Sequence, residues 1–455
     1  MAILATMTTL TATIYLPALL WLVIHFAEGV LSATGYWTLI VAIAVLVAIT
    51  IGAAQSPFWS VLHRVRRSGL TSLVARARTA VELPSTSHVG MPSLRGLSSR
   101  IGQAEWIPSK LFYVPLAVQW MWLSLRHGSL SLPTLANPLI EVGGLWGESK
   151  KVYLDMVSGE EHRWLARYVT LTRGESDRVG DSRRAVELSR EAGLTFPLVA
   201  KPDVGWQGYG VRPIASEPEL RAYVDAFPES ATLMLQEMIA WEGEAGIFYV
   251  RQPGEEKGKV ISVTLRYFPH VVGDGVRTVH DLILADQRAS WKAGLHLGLQ
   301  EGHGGVSAET LGHIPETGEI VRLSFIGSIR VGSLYRDADE YITPELTARF
   351  DAISRSMPEF HYGRYDVRFA SVERLREGKD FRIIEINGAG SEPISAWDPE
   401  MMLWQVYARL LRQQRLLFEI GARNRARGWK PAGLLAVLRA ARRQTRLIGR
   451  YPPSS

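Results

Sequence analysis

The stretch VAKPDVGWQGYGV, residues 199 to 211, decides how this chain is read. An apolar run ends in Lys201, and glycines follow at 205, 208 and 210 before apolar residues resume. Glycine lacks a Cβ, so such a loop turns tightly and presents backbone N–H groups to an anion, while a lysine at a strand end adds a point charge. The pattern suits phosphate binding in principle, and a plain glycine turn would use the same residues. It matches neither common nucleotide signature. No GxxxxGK[ST] occurs, and GxGxxG would need glycine at 213, where Pro213 stands.

Outward from this loop, residues 145–400 alternate short β-type runs with amphipathic segments. FPLVAK, ATLMLQEMI, AGIFYVRQ, KVISVTLRYF, EIVRLSFIG, YDVRFASV and DFRIIEIN read as strands. SEPELRAYVDAF, TVHDLILADQRASWKAG, PELTARFDAISRSM and MLWQVYARLLRQQRLLFEI read as helices. Many strands with few helices between them predict an α+β domain with largely antiparallel sheets, not a doubly wound one. Asp366, Glu385 and Asn387 fall near strand ends, and Glu385 and Asn387, two apart, share a strand face. Three oxygen ligands of this kind suit Mg²⁺ beside nucleotide phosphates, although each carboxylate alone would pass for a solvated surface charge. In LQEMIAWEGE, an apolar strand end is followed by acceptors suited to an adenine amino group and ribose hydroxyls.

The 455 residues are 47% apolar and 21% charged, enough for a large core and for two or three domains. The absence of cysteine excludes disulfides, thiolate metal sites and cysteine nucleophiles. Net charge is +6, made of +5 over residues 1–110, −10 over 111–408 and +11 over 409–455. The basic ends flank apolar segments, which points to anionic lipid and away from nucleic acid. Residues 9–27 and 36–54 hold no Lys, Arg, Asp or Glu and are each long enough to span a bilayer. Arg64, Arg66, Arg67, Arg76 and Arg78 follow the second, and dense positive charge beside a span stays on the cytoplasmic side. Both ends of this hairpin are therefore expected in the cytosol, with the rest of the chain. The apolar stretch 111–125 is shorter, contains Pro115 and is rich in aromatics, which favours an interfacial helix over a third crossing. The tail mixes Leu, Ile and Val with arginine and reads as a helix lying on the membrane surface, or alternatively one packed on the catalytic domain.

From about 145 to 397 the chain resembles the ATP-grasp superfamily, nearest to the ATP-grasp domain of cyanophycin synthetases and to carboxylate–amine ligases such as D-alanine–D-alanine ligase. Four motifs carry the resemblance in order: AKPDVGWQGYGV, VVGDGVRTVHDLI (271–283), GRYDVRF and IIEINGAG. It implies two α+β subdomains clasping ATP. Lys201 and the earlier Lys150 would contact phosphates, with Lys151 competing for the second place. Gly205, Gln207, Gly208 and Gly210 would form a mobile lid. Gln236 and Glu237 would lie at the adenine hinge and Glu244 at the ribose. Asp366, Glu385 and Asn387 would bind one or two Mg²⁺, and Arg364 would steady the transferred phosphoryl group. Arg266, Arg330 and Arg336 are candidates for the carboxylate substrate, and Glu392 of NGAGSEP for a cationic amine or for a helix cap.

The implied activity is a membrane-anchored ATP-dependent carboxylate–amine ligase that forms an amide through an acyl phosphate. A phosphotransferase and a non-catalytic nucleotide-binding scaffold are the alternatives. The expected organisation is a transmembrane hairpin (1–55), a basic juxtamembrane linker with an interfacial helix (56–145), the catalytic domain (146–400) and basic amphipathic helices (401–455). The expected location is the cytoplasmic membrane, multi-pass, with the catalytic domain on the cytosolic face. An acid and an amine substrate, one of them membrane-bound or lipid-linked, and anionic lipids are the expected partners, and self-association stays open.

Overall fold

The computed structural model describes residues 88–94, 99–175, 178–300 and 303–455. The two apolar spans and the arginines from Arg64 to Arg78 lie outside the described residues. Among the described residues no helix is long and apolar enough to cross a membrane.

Strands β1 (Tyr168–Thr172), β2 (Leu198–Pro202), β3 (Arg212–Ile214) and β4 (Thr232–Glu237) form an antiparallel sheet of order β1-β4-β2-β3. Its alternation is clean. Leu233 and Leu235 pack with Leu220, Tyr223 and Val224 of one helix and Ala185 and Val186 of another. Met234 and Gln236, on the opposite face of β4, are turned toward the rest of the molecule, and Met234 joins the larger core.

That larger core belongs to a second antiparallel sheet. β5 (Gly243–Val250), β6 (Lys259–Tyr267), β9 (Leu334–Asp337), β10 (Tyr362–Phe369) and β11 (Phe381–Asn387) are arranged β11-β10-β5-β6-β9. One face of β10 presents Tyr365, Val367 and Phe369 to Phe350, Ile353 and Phe381, all fully buried. Burying each such side chain stabilises the fold by roughly 1.5–3 kcal/mol. The alternate residues Arg364, Asp366 and Arg368 are thereby forced onto the other face, which becomes the polar floor of a site. The short strands β7 (His270–Val272) and β8 (Ile320–Arg322) pair separately.

Local chemistry explains where the expected elements break. The helix read over 278–294 ends at Asp286, whose carboxylate caps Arg288 N (2.9 Å) and Ala289 N (2.8 Å) and so starts a new turn. The run EIVRLSFIG pairs only over Ile320–Arg322, after which the Arg322 side chain bonds the backbone carbonyls of Ser324 and Phe325 and holds a loop.

Residues flanking this body are largely built into it. The helix α1 (Val114–His127), with proline in its first turn, packs on the long helix α2 (Leu403–Ala426), which buries Val406, Leu410, Leu417, Phe418 and Ile420. The segment 403–426 thus packs as a core helix, the alternative to lying on a membrane. The next helix, α3 (Leu434–Ile448), buries Ala440 and Gln444 and leaves Leu434, Leu435 and Leu438 exposed. On α1, Val118, Met121, Trp122 and Leu125 are likewise exposed.

Candidate nucleotide and metal site

The β10–β11 register creates the site. Arg364 stands opposite Asn387 and Asp366 opposite Glu385, with an irregularity just after Asp366. Asp366 is buried and accepts from Arg364 Nε (2.7 Å) and Nη2 (3.1 Å), from Arg266 Nη1 (3.0 Å) and from Asn387 Nδ2 (3.5 Å). Burial alone would raise its carboxyl. The guanidinium groups of Arg364 and Arg266 outweigh burial and hold it below the usual carboxylate range. Glu244 on β5, opposite Arg368 on β10, pairs with Arg266 (3.1 Å) and Arg368 (3.2 Å). These buried charges persist because each has a geometrically matched partner.

Lys201, at the end of β2, reaches this floor from the other sheet. Its Nζ donates to Gln236 Oε1 (2.8 Å) and to the Ile384 carbonyl (2.8 Å), next to Glu385. Burial lowers its pKa from 10.5 to about 8, with Glu385 opposing the shift. Lys150 is also buried, 3.5 Å from Glu385 Oε1 and 3.2 Å from the Asp203 carbonyl. Lys151, in contrast, is exposed and paired with Asp155, so Lys150 is the lysine at the site. Gln236 also donates to the Ile384 carbonyl (3.3 Å), so this position ties β4 to β11.

The glycine loop closes over this cluster. A Cβ on Gly205 would stand 3.3 Å from Lys150 Nζ, whereas one on Gly208, at φ +76°, would stand 2.3 Å from Ile326 Cγ2. Gly210 is also left-handed, and a Cβ there would crowd Pro202 and Tyr451. Gln207 itself has φ 48°, and its carbonyl accepts from Arg330 Nε (3.0 Å). Arg330 lies over the Tyr209 ring (4.1 Å) and donates to Ser454 Oγ (2.9 Å). Tyr451 donates to the Val204 carbonyl at 2.5 Å. Arg330, expected at the carboxylate substrate, is therefore a clamp on the loop.

Strand alternation also places Arg336 and Glu237. Arg336 faces away from the floor: Tyr335 is the residue opposite Arg266, and Arg336 pairs instead with Asp398 (3.1 Å) and Glu400 (2.6 Å). Glu237 lies on the opposite face of β4 from Gln236, where Arg167 binds its carboxylate at 3.2 Å. Glu244, expected at the ribose, stands on the floor with both its oxygens held by arginine. The segment 271–283 lies outside the cluster: Asp274 caps its turn through Val276 N and Arg277 N, and Val271, Val279, Leu282 and Ile283 form a small core of their own.

Arg368 was not read from the sequence, yet it follows Asp366 by two residues on one strand, and period-two alternation would have found it. Glu148 was also missed. It is half-buried, accepts from Gly388 N (2.9 Å), and desolvation raises its carboxyl to about 7. No strand signal marks it, because Glu148 lies just before the helix Lys150–Met156. Around the floor stand Lys150, Lys201, Arg266, Arg364 and Arg368 against Glu148, Glu244, Asp366 and Glu385. This cationic excess matches an anionic ligand.

Among the described residues no three His, Cys, Asp or Glu side chains form a metal cluster. Asp366 and Glu385 stand opposite each other across one strand pair and Asn387 turns its amide nitrogen to Asp366; with that amide rotated, two carboxylates and an amide oxygen are donor types that suit a hard cation completed by phosphate oxygens and water.

No family model matches the chain, and no curated protein sequence matches it. Solved structures similar to it include a bifunctional glutathione synthetase from Pasteurella multocida, at 16% identity and a TM-score of 0.33 over 61% of this chain and 37% of that one. Others are a D-alanine–D-alanine ligase from Bacillus anthracis (14% identity, 0.34, 62% and 68%) and the VanG D-Ala:D-Ser ligase from Enterococcus faecalis (14%, 0.31, 59% and 64%). This chain thus spans little more than a third of the glutathione synthetase. At such TM-scores the reading of function rests on the site's own geometry.

Proposed function

We propose that the chain is an ATP-dependent carboxylate–amine ligase of the ATP-grasp type, anchored at a membrane. The observation that supports this most is the meeting of two sheets at one point: Lys201 from the first reaches the carbonyl beside Glu385 in the second, under a glycine loop. Lys201 and Lys150 would neutralise the phosphates, and the loop would exclude water from an acyl phosphate. Asp366, Glu385 and Asn387 would hold Mg²⁺, which when bound offsets charge on the transferring phosphoryl group. Arg364, whose guanidinium forks onto Asp366 in the same floor, would steady that group. An acid would attack the γ-phosphate, and an amine would then displace phosphate to give an amide.

The apolar spans 9–27 and 36–54 and the exposed apolar residues of α1 and α3 support an anchored enzyme with a cytosolic site and one membrane-borne substrate. The test is ADP release with Mg²⁺-ATP and pools of amino and hydroxy acids, with and without added amine. Amine-dependent ADP and condensed product are expected, with Asp366→Asn lowering the rate by about 100-fold or more. ADP without any need for amine would indicate a phosphotransferase, and ATP binding without turnover a scaffold.

A further inference from the structure

The loop after β11 folds back toward the floor. Ser391 Oγ donates to the Gly388 carbonyl (2.6 Å), and Gln413 Nε2 from α2 donates to the Ser391 carbonyl (3.1 Å). Glu392 follows, and its backbone carbonyl accepts from Arg364 Nη1 at 3.2 Å. One guanidinium therefore links Asp366 to Glu392. The Glu392 side chain does not cap the following turn, Ile394–Trp397, which has no side-chain cap bond. Its carboxylate instead accepts from Tyr113 Oη at 3.1 Å.

Glu392 differs from its acidic neighbours. Asp366, Glu244 and Glu385 each hold a cation, whereas no Lys, Arg or His nitrogen lies within 4.0 Å of the Glu392 carboxylate among the described residues. Burial raises this carboxyl above its ordinary range, with Tyr113 and the Arg364 charge opposing. A half-buried carboxylate with one phenol donor and no cation beside it has acceptor capacity left that an incoming ammonium would fill. Tyr113 is partly exposed, just ahead of α1, so the position opens to solvent.

We propose that Glu392, positioned by Tyr113, receives the amine substrate, and this rests on the ligase reading above. The substrate ammonium donates to the Glu392 carboxylate and passes it a proton. The freed nitrogen lone pair attacks the acyl phosphate carbon, the C–N bond forms, the bond from that carbon to the phosphate oxygen breaks, and inorganic phosphate leaves with that electron pair and takes up the second nitrogen proton, leaving the neutral amide. Glu392 would thus be a catalytic residue of the second half-reaction only.

Hydroxylamine tests this, because it is uncharged at neutral assay pH and captures acyl phosphates without a base. The full chain is given Mg²⁺-ATP and pooled amino acids, with hydroxylamine either added or omitted; hydroxamate is read by iron(III) colour and amide product by mass spectrometry. Glu392→Gln is expected to keep hydroxamate formation near the wild-type rate while amide formation falls about 100-fold. Equal effects on both nucleophiles, or none on either, would overturn the proposal. Absence of hydroxamate from the wild type would overturn the ligase reading itself, and the proposal with it. Should the Gln variant not fold, Tyr113→Phe makes the same comparison: KM for the amine rises about tenfold while hydroxamate kcat holds. A change in both would reduce Tyr113 to a structural role and refute the assignment.

Discussion

If Lys201 binds the phosphates of a nucleotide as proposed, binding is proton-linked, and the sign follows from the burial of this lysine. In the free protein its ammonium titrates at about 8 instead of the ordinary 10.5, because desolvation outweighs Glu385. That difference corresponds to about 3 kcal/mol. A triphosphate beside Lys201 Nζ adds negative charge and raises its pKa. Below about pH 8 the lysine is charged before binding, and affinity for Mg²⁺-ATP is flat. Above it, binding takes up a proton, so Kd weakens by about tenfold per pH unit until the pKa of the bound state is passed, for a ceiling of a few hundredfold. Stability of the nucleotide-free protein moves the other way. The unfolded chain holds the lysine proton up to about 10.5, so this group favours the folded state as pH rises from about 8 toward 10.5, and that contribution is lost as pH falls through about 8. Calorimetric titration of Mg²⁺-ATP across this window, with a parallel thermal melt, reads both trends. Lys201→Met should bind weakly at every pH with no slope. A wild-type Kd that stays flat or tightens above pH 8 would refute the placement of Lys201 on the phosphates.

Two further outcomes test the loop and the corrected arginine. Gly208→Ala should cost about 1–2 kcal/mol from left-handed backbone alone, read by urea unfolding, and slow ADP release; the double variant with Ile326→Ala should recover the packing loss and not the backbone loss. If Gly208→Ala were neutral, the loop would not hold the conformation described. Arg336→Gln leaves Asp398 with only the backbone N–H groups of Asp337 and Glu400, so stability should fall by about 2 kcal/mol while the turnover rate is unchanged. Lost turnover at unchanged stability would return Arg336 to the site.

The cluster's charge separates a nucleotide site from a structural ion-pair network. Residues 111–408 carry a net −10, yet the floor gathers five Lys and Arg against Glu148, Glu244, Asp366 and Glu385. A purely structural network has no reason to concentrate surplus cations where the chain is otherwise acidic, since each unmatched buried cation is costly. Lys201 shows the cost directly: its best partners are an amide and a carbonyl, and its pKa falls. A bound polyphosphate would remove that penalty, whereas an apolar ligand would leave it in place.

What was legible in the sequence followed local rules, and what was not depended on pairing. The strands around Lys201, Asp366 and Glu385 announced themselves through alternation, because one face of each is core. Lys150 and Lys151 could not be separated by any local rule, since adjacent residues at a helix start differ only in direction, and direction is set by the Ser149 side chain accepting from Val152 N and by Asp203 accepting from Lys151 N. The arginines show the point most clearly. Arg266, Arg330 and Arg336 look alike in sequence, and each lies in or beside a strand or short turn. Only knowing that β6 pairs with β9 so that Arg266 faces Tyr335 puts Arg266 on the floor and Arg336 on the far side. Register is a nonlocal property fixed by which side chains the core accepts, and a slip of one residue would exchange the two arginines. Leu265 and Leu334 are both buried in the core behind the sheet, and that burial holds Arg266 in place against Asp366.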